Sequence, residues 1–338
     1  MDNVLGFVSE EAFEESLDET ITRLEAIANS EALTNSRIFV ADSWKAVQSI
    51  VRRGLANQFF KVGDQIQSYH KVYGFGTEKL LTWDILGIDY DRPVDSSGNY
   101  LTTTDSQGNI IPMHSLTLQT HDCIGTKYRI HRSFDNNWQN SGLRNWLNSA
   151  KFVDGYDANR GFLYGFDPDL LEVIGYVAKT TSRSNEEGGK AIVLPEKLFL
   201  PSLTEIFAGV NNGCNEGAIF LSEDETPDGS KFYCTKDENN IITKVTPVSG
   251  DNPKQSGWYE VSSYYEYYGP LHSDFANPSR GADTNRKKKI GTGDYDRYWT
   301  RSSYPDNRSY NRSVDNLGSI DMDYVSNSHG IAPACVVV

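Results

Sequence analysis

Cysteine is scarce in this chain, and its thiols do not fall into closely spaced pairs. The four cysteines in 338 residues are Cys123, Cys214, Cys234 and Cys335. Because thiolate ligands of zinc usually come in CxxC pairs, their absence disfavours a structural zinc site. A disulfide between Cys214 and Cys234 would close one loop, but buried free thiols are the default prediction, since unpaired cysteine packs as a small hydrophobic residue.

Positive charge is also in short supply. The chain has 32 Lys and Arg against 46 Asp and Glu, which gives a formal net charge of -14. Because phosphate neutralisation needs clustered Lys and Arg, this balance argues against a nucleic-acid-binding surface. The basic run 286–289 is predicted to be a solvated turn.

Long apolar runs are missing as well. The N-terminal stretch MDNVLGFVSEEAFEES lacks the positive segment followed by an apolar segment that marks a secretory signal. No stretch approaches the roughly 18 apolar residues that a membrane span requires. The sequence therefore predicts a soluble protein with no signal peptide and no membrane insertion.

The common catalytic motifs do not occur. The chain has no GxSxG, HExxH, P-loop or EF-hand pattern. We expect solvated or hydrogen-bonded structural roles for the scattered histidines, which are His70, His114, His121, His131, His272 and His329. The sequence therefore predicts no enzymatic activity.

Calcium-dependent sugar binding is not indicated either. The motifs EPN, QPD and WND are absent, and the acidic pairs are Asp294 with Asp296 and Asp321 with Asp323. Two carboxylates on one strand face supply only part of the about six to eight oxygens that calcium takes. We therefore predict no metal and no cofactor.

What the sequence does contain is a polar C-terminal segment. Of the 31 residues in 299–329, 19 are Ser, Asn, Asp, Tyr or His. Such residues populate ordinary loops, but they also build adaptable recognition surfaces. A turn at 315–318, followed by Ile320, Met322 and Tyr324 in alternation with polar residues, predicts a hairpin. The segment 302–329 is therefore predicted to display side chains for ligand binding on a strand framework.

The predicted ligand-binding side chains are polar or aromatic: Tyr304, Asp306, Asn307, Ser309, Tyr310, Asn311, Asp321, Asp323, Tyr324 and Asn327. The framework residues predicted between them are Val314, Leu317, Gly318, Ile320 and Met322. The apolar run 331–338 is predicted to be a buried final strand.

Two helices are predicted near the N-terminus. Over 9–36, apolar residues recur at helical spacing: Phe13, Leu17, Ile21, Leu24 and Ile27. This stripe packs either on the body of the protein or against copies of itself. A shorter helix is predicted over 43–55, with Ser43 as its N-cap and Gly54 at its end.

The middle of the chain predicts a mixture of strands and short helices. Strands are expected in 59–69 and 79–92, and two similar turns at 95–99 and 105–109 predict a protruding hairpin. A helix is expected over 137–148, a buried segment over 170–177, and a strand that runs into a short helix over 197–207. The aromatic stretch 258–268 is interpreted as core packing rather than as a ligand-facing stripe.

An ordered series of motifs resembles one family. The motifs are SWKAVQSIVRRGLANQFFKVGD (43–64), SGLRNWLNS (141–149), LFLPSLTEIF (198–207), RYWTRSS (297–303) and GIAPACVV (330–337). They are similar to those of bacterial and phage proteins with a C-type-lectin-type fold, related to the formylglycine-generating-enzyme fold. Some members are variable proteins of diversity-generating retroelements, whose adenine-directed mutagenesis rewrites Asn-type codons into Tyr, Ser, Asp and His codons.

The resemblance implies an α+β protein with mixed or antiparallel sheets, flanking helices and long loops, preceded by the N-terminal helix. We expect an assembly or attachment helix over 1–40, a β-rich part of the body over 41–130, and the C-type-lectin-type domain over 131–338. In that family a tryptophan–arginine strand and a final GxxPA strand frame the polar segment. The expected scaffold residues are therefore Trp299, Arg301 and Pro333, and the predicted turn at 315–318 adds Gly318.

The resemblance further implies a phage or prophage receptor-binding or virion-surface variable protein. It would be located in the virion, or in the bacterial cytoplasm before assembly. Its expected partners are a protein or glycan receptor on a host-cell surface, other virion proteins bound through the N-terminal helix, and copies of itself. The alternative is a catalytic or degenerate relative of the formylglycine-generating enzymes, although their catalytic cysteine pair has no evident counterpart here.

Overall fold

The structure is a computed structural model that describes most of the body of the chain. The described residues are 38–40, 43–71, 79–154, 156, 160–181, 184, 186, 192–207, 221–222, 232–236, 242–247, 265–268, 284–291, 293–304 and 307–338. The predicted helix over 9–36, His272 and Cys214 lie outside the described residues.

The described α-helices are all short. They are α1 (Trp44–Arg52), α2 (Ala56–Phe59), α3 (Gly142–Leu147), α4 (Pro168–Val173) and α5 (Leu203–Ile206). Helix α1 forms as predicted: the Ser43 side chain accepts a hydrogen bond from the main-chain N–H of Ala46, and Gly54 follows the helix with a positive φ of 69°. Its apolar face, which includes Trp44 and Ile50, is buried.

Strands make up the larger part of the fold. In chain order they are β1 (Ile38–Val40), β2 (Gln65–His70), β3 (Lys79–Ile88), β4 (Pro93–Val94), β5 (Thr102–Thr104), β6 (Ile110–Pro112), β7 (Leu116–Thr120), β8 (Tyr176–Thr181), β9 (Ile192–Glu196), β10 (Leu198–Phe199), β11 (Leu221–Ser222), β12 (Phe232–Lys236), β13 (Ile242–Pro247), β14 (Lys288–Lys289), β15 (Tyr295–Asp296), β16 (Tyr298–Ser303), β17 (Tyr310–Val314), β18 (Ile320–Tyr324) and β19 (Ala334–Val337). Together with the helices they confirm the predicted α+β class.

A six-stranded sheet lies at the centre of the fold, in the order β1-β2-β3-β7-β19-β10. Strand β1 pairs parallel to β2, and the remaining neighbours are antiparallel. Smaller sheets have the orders β4-β8-β9, β11-β12-β13 and β16-β17-β18, and β5 with β6 and β14 with β15 form two-stranded ribbons.

The final strand occupies an inner position of the central sheet. Cys335 of β19 lies opposite Leu118 of β7 on one side and Leu198 of β10 on the other. The whole run 331–338 is buried, as predicted from its apolar composition. Since β7 from 41–130 pairs with β19 from 131–338 in this sheet, the two predicted parts of the body share one core.

Three turns use one local device, in which an aspartate carboxylate accepts two main-chain N–H bonds. Asp315 Oδ1 accepts from Leu317 at 2.9 Å and from Ser319 at 2.8 Å. Asp95 and Asp105 accept equivalent bonds in their own turns. Each turn has a glycine with positive φ, and these are Gly98 (89°), Gly108 (85°) and Gly318 (84°). The predicted hairpins at 105–109 and 315–318 are confirmed.

Aromatic side chains fill much of the core. Trp83, Trp138, Trp146 and Trp299 belong to the main buried cluster between the helices and the central sheet. A second cluster contains Tyr265, Tyr267 and Tyr268, so the described part of the aromatic stretch 258–268 is core, as predicted. Segment 170–177, predicted only as buried, divides between helix α4 and the start of β8.

Two cysteines can be located in the described residues with their side chains. Cys123 and Cys335 are both buried and free, as predicted. Burial raises the pKa of the Cys123 thiol to about 12, and it raises the pKa of Cys335 as well. Among the described residues, no helix has both the length and the apolar character that crossing a membrane requires.

Candidate ligand-binding face

The polar C-terminal segment forms an antiparallel sheet of three strands. Strand β17 pairs with β16 on one side and with β18 on the other. Tyr310 lies opposite Tyr324, and Asn311 lies opposite Asp323. Because side chains alternate along a strand, Tyr310 and Tyr324 share one face of this sheet, and Asn311 and Asp323 share the other.

Strand β16 anchors this sheet to the core. Trp299 has 1% of its surface exposed, and its indole Nε1–H donates to the Tyr128 carbonyl at 2.8 Å. Its main-chain N–H donates to the carbonyl of Gly330 at 2.9 Å, which ties β16 to the segment that leads into β19. Pro333 lies in that buried segment, and its carbonyl accepts from Thr120 at 3.0 Å.

Arg301 belongs to a buried network of charges beneath the sheet. Its guanidinium pairs with Glu205 and donates to the carbonyl of Leu200 at 2.9 Å. The ammonium group of Lys179 lies 2.8 Å from Glu205 and also pairs with Asp91. Burial alone would raise the pKa of Glu205, but Arg301 and Lys179 hold it well below its usual value. Two cations and two carboxylates therefore balance each other inside the protein.

Three tyrosines form a continuous aromatic cluster at the open end of the sheet. The ring centroids of Tyr310 and Tyr324 lie 4.2 Å apart, and those of Tyr304 and Tyr310 lie 6.0 Å apart. The Arg312 guanidinium lies 4.5 Å from the Tyr304 ring centroid. A hydrogen bond with the Tyr324 hydroxyl raises the pKa of Tyr310. We call Tyr304, Tyr310 and Tyr324 the tyrosine cluster.

A buried amide holds the main chain that carries this cluster. Asn136 Nδ2 donates to the carbonyl of Tyr310 at 2.7 Å, to that of Tyr304 at 2.9 Å, and to that of Asn307 at 3.4 Å. Asn307 Oδ1 in turn accepts from the N–H of Ser309 at 2.8 Å. The main chain at Tyr304, Asn307 and Tyr310 is therefore held from beneath, next to the rings of the tyrosine cluster.

An acidic group centred on Arg297 occupies the opposite face of β18. The guanidinium pairs with Asp321 and lies 3.1 Å from Asp323 Oδ2. Asp323 also accepts from Asn327 Nδ2 at 2.8 Å and from His329 Nε2 at 2.7 Å. Burial alone would raise the pKa of Asp323, but the hydrogen bonds from Asn327 and His329 keep it below its usual value.

His329 connects this acidic group to the framework. Its ring packs edge-on against Trp299, with centroids 4.6 Å apart. Burial lowers the pKa of His329, although the bond to Asp323 opposes that effect. The imidazole is therefore neutral at pH 7 and donates its Nε2–H to the ionised Asp323.

The structure separates the predicted ligand-binding residues into distinct groups. Tyr304, Tyr310 and Tyr324 come together, whereas Asp321, Asp323 and Asn327 gather around Arg297 on the other face. Asn307 and Ser309 shape the loop, and Asp306 lies outside the described residues.

The prediction for Asn311 is wrong. Its side chain has 1% of its surface exposed, and its amide donates to the Thr300 carbonyl at 2.8 Å. The pairing register shifts between Trp299 and Ser303, which leaves that carbonyl available for a side chain. Asn311 therefore belongs to the framework.

Two predicted framework residues lie instead at the surface. Leu317 is 46% exposed and Met322 is 39% exposed. Leu317 sits in the turn, and Met322 lies on β18, the end strand of this sheet. Val314 is fully buried, and Gly318 occupies the positive-φ position that the turn requires.

Sequence reasoning missed Asn136, Arg297 and Arg312. Arg297 lies one residue before β16, and Arg312 lies within the predicted segment among many polar residues. Asn136 lies more than 160 residues before the loop that it supports, in the run Asp135-Asn136-Asn137. Nothing local in the sequence links that run to the tyrosines, although its amide-rich composition before Trp138 is a weak signal.

The side chains of the described residues do not form a metal-binding site. In this part of the chain no group of three or more His, Cys, Asp and Glu side chains is arranged to hold a metal ion. Asp321 and Asp323 share a strand face, as their spacing predicts, but both pair with Arg297.

Comparison with protein-family models matches residues 114–338 to DUF6273, a domain of unknown function. The matched range includes all of β16, β17, β18 and β19, and therefore the whole of the face described above. Searches of the curated proteins and of the solved structures gave no significant match.

Proposed function

The chain belongs to the DUF6273 family, and we propose that it is a ligand-binding display protein. Its contact surface is the tyrosine cluster, with the exposed Met322 beside it. This proposal rests on the contacts among the rings of Tyr304, Tyr310 and Tyr324. Asn136 holds the main chain of this cluster through the Tyr310 carbonyl.

Tyrosine suits this role for a physical reason. Its ring buries a large area in a contact while only two side-chain torsions must be fixed, so binding costs little entropy. Tyr310 and Tyr324 already restrain each other through ring contact and through their hydroxyl groups. A partner therefore meets a surface whose side chains are largely ordered before contact.

The acidic group supports a polar contact beside the aromatic one. Asp321 and Asp323 retain 33% and 20% of their side-chain surfaces, and Arg297 retains 30%. Charged residues at the edge of a contact contribute more to partner choice and to association rate than to affinity. We assign Asp321, Asp323 and Asn327 this role.

A C-type-lectin-type fold accounts for the way in which the segment is framed. Trp299 on β16 bonds to Gly330, so the tryptophan–arginine strand and the final strand meet at the base of the display segment. The buried Arg301 then joins the sheet to β8 and α5 through Thr180 and Glu205. These contacts support a rigid frame around an exposed segment, which is the arrangement that the family resemblance implies.

We further propose that the ligand is a protein or glycan receptor on a host-cell surface. In this proposal the protein is a phage or prophage virion component, made in the bacterial cytoplasm, and its segment 302–329 is diversified by a retroelement. A neighbouring reverse-transcriptase gene with a near-copy of the DNA that encodes 299–333 would support the diversification, and the lack of both would remove it.

The alternative of a formylglycine-generating type of enzyme finds less support. Such chemistry requires reactive thiolates, whereas burial raises the pKa of Cys123 to about 12 and raises that of Cys335 too. We therefore propose binding, not catalysis, at the display face.

The test is a triple substitution of Tyr304, Tyr310 and Tyr324 to Ser. Binding to a panel of bacterial cells and to a glycan array is measured beside the melting curve. We expect the free energy of binding to weaken by about 2 kcal/mol or more for each anchoring ring, while surface substitutions of this kind change the free energy of unfolding by less than about 0.5 kcal/mol each.

The matched control replaces three tyrosines that are exposed elsewhere. Tyr100, Tyr164 and Tyr176 have 49%, 49% and 37% of their surfaces exposed. We expect their joint substitution to Ser to leave binding unchanged. If both triple variants bind as the wild type does, the tyrosine cluster is not the contact surface.

A further inference from the structure

A second group of titratable side chains lies on the central sheet. Asp84 of β3 has 1% of its side chain exposed, and its Oδ1 lies 2.9 Å from Nδ1 of His121, which directly follows β7. The His121 side chain is 50% exposed. A buried carboxylate therefore holds one nitrogen of a ring whose other side faces solvent.

The carboxylate of Asp84 is kept ionised by several donors. Tyr267 donates its hydroxyl to Oδ2 at 2.6 Å, Gln65 donates its amide to Oδ1 at 2.8 Å, and the Lys288 ammonium lies 3.9 Å from Oδ2. Burial alone would raise the pKa of Asp84, but the bond from His121 and the charge of Lys288 keep it below its usual value.

This carboxylate fixes the tautomer of the imidazole. An ionised carboxylate can only accept, so Nδ1 of His121 carries the proton and Nε2 carries the lone pair. Nδ1 donates to the Asp84 carboxylate, whose Oδ1 and Oδ2 lie 2.9 and 3.0 Å away. The bond to Asp84 raises the pKa of His121, with further effects from Lys288 on β14 and from the adjacent Asp122. A basic nitrogen is thus presented to solvent.

His121 is not needed to stabilise the buried carboxylate of Asp84. Asp84 already has Tyr267, Gln65 and Lys288 as partners, so the fourth donor is not needed to satisfy the buried charge. The contact between His114 and Asp89 differs in this respect, because Asp89, which lies 3.0 Å from His114 Nδ1, has 37% of its side chain exposed. A buried carboxylate that orients an exposed imidazole is the arrangement used for general base catalysis.

Uncharged polar groups line the strands beside His121. Gln65 and Gln67 of β2 lie on the same strand face, and Thr82 lies opposite Gln67. The Thr82 hydroxyl accepts from Gln67 Nε2 at 3.2 Å, which leaves its own proton available to a ligand. The main-chain N–H of His121 donates to the Thr82 carbonyl at 2.8 Å, so this strip adjoins the imidazole. We call Gln65, Gln67 and Thr82 the polar strip.

We propose that His121 and Asp84 form a general acid–base pair that hydrolyses a small uncharged carboxylic ester bound on the polar strip. His121 is the catalytic residue, and Asp84 is its positioning residue. The strip offers amide and hydroxyl groups without charge, and the net charge of -14 disfavours anionic substrates. This activity is separate from ligand binding at the tyrosine cluster, which lies on another sheet.

The reaction balances with water as the only co-reactant. Nε2 of His121 takes a proton from water while the water oxygen forms a bond to the ester carbonyl carbon. The tetrahedral intermediate then expels the alcohol oxygen, and His121 returns the proton to that oxygen. One ester and one water become one carboxylic acid and one alcohol, and the imidazole ends neutral. We assign to the Thr82 hydroxyl the hydrogen bond to the carbonyl oxygen as the charge of that oxygen develops.

The experiment measures steady-state hydrolysis of p-nitrophenyl acetate by the full chain. We expect His121→Gln to lower kcat/KM by about 100-fold, since a positioned general base contributes at least that much. His114→Gln is the matched control and should hydrolyse as the wild type does. A wild-type rate no higher than that of His121→Gln would overturn the proposal.

The pH profile tests the part played by Asp84. In the wild type the rate should rise with pH through the pKa of His121, because the neutral imidazole is the base. Asp84→Asn removes the negative charge that favours the imidazolium, so the midpoint should move to lower pH while the rate falls. A midpoint that does not move in a folded Asp84→Asn protein would refute the pairing. If that variant does not fold, Tyr267→Phe tests the same coupling, because it removes one donor to Asp84 and should raise the midpoint.

Discussion

Mild acid should destabilise this protein through one buried histidine, His70. The side chain lies at the end of β2 with 1% of its surface exposed. Its ring stacks on Phe162 at a centroid distance of 4.6 Å, and Nε2 lies 2.9 Å from the Phe162 carbonyl oxygen. Burial lowers the pKa of His70 from 6.5 to about 4, although the bond to that carbonyl opposes the shift.

The sign and size follow from proton linkage. In the unfolded chain His70 takes up a proton as the pH falls below 6.5, whereas the folded protein resists protonation until about pH 4. The stability that depends on the neutral ring is therefore complete above pH 6.5 and is lost as the pH falls towards 4. With about 1.4 kcal/mol for each unit of pKa, the loss is about 3 kcal/mol. That is a large share of the about 5 to 15 kcal/mol that stabilises an ordinary protein.

Urea unfolding, followed by tryptophan fluorescence at several pH values from about 7 to about 4.5, measures this loss. His70→Gln keeps an N–H donor for the Phe162 carbonyl but cannot titrate. We expect its stability to depend less steeply on pH in that window, even though its stability at pH 7 is lower. His131→Gln is the control for removal of another histidine, one whose ring bonds to Ser133 in a loop.

Two other histidines, His329 and His121, also contribute to the pH dependence of stability, and their contributions can be separated from that of His70. The lowered pKa of His329 acts in the same direction as that of His70 and remains in the His70→Gln variant. The raised pKa of His121 acts oppositely, since it stabilises the protein below pH 6.5 and loses that effect as the pH rises. Equal slopes for the wild type and His70→Gln would refute the assignment to His70.

Two further predictions concern the residues that hold the proposed ligand-binding face. Trp299→Ala should lower the free energy of unfolding by about 3 to 5 kcal/mol, because a large buried ring leaves a cavity; an unchanged melting temperature would contradict this. Asn136→Asp keeps the side-chain shape but removes the amide that donates to Tyr304 and Tyr310. It should cost about 1 to 3 kcal/mol and weaken ligand binding, and a variant that melts and binds as the wild type does would show that the amide does not hold the loop.

Elements with local signals were predictable from the sequence. Helix α1 has a capping Ser43 and a terminating Gly54, and the β17–β18 hairpin has Asp315 and Gly318 at its turn. Such signals act between residues that are close in the chain, so a single sequence contains them. The alternation of Ile320 with Asp321 likewise predicts a strand, whichever strands it pairs with.

Features that depend on distant partners were not predictable. The burial of Asn311 requires the irregular register of β16, which leaves the Thr300 carbonyl open. The support given by Asn136 and the contact between Asp84 and His121 arise only when separate strands and loops are brought together. Composition marked out the polar segment 302–329 but not the split between its aromatic and acidic faces, because that split depends on which strand covers which side.

The inner position of β19 has a consequence for folding during synthesis. Before residues 334–337 are made, β7 lacks the partner of one of its edges, and β10 lacks β19, the strand that joins it to this sheet. β7 is buried along its whole length in the folded protein. Until β19 has been made, the unpaired backbone N–H and C=O groups of β7 can bond to a strand of another chain. Closing the sheet also joins segments far apart in the chain, which is slow. The nascent chain can therefore mispair until Ala334–Val337 joins the sheet. A chaperone would be most useful before that step.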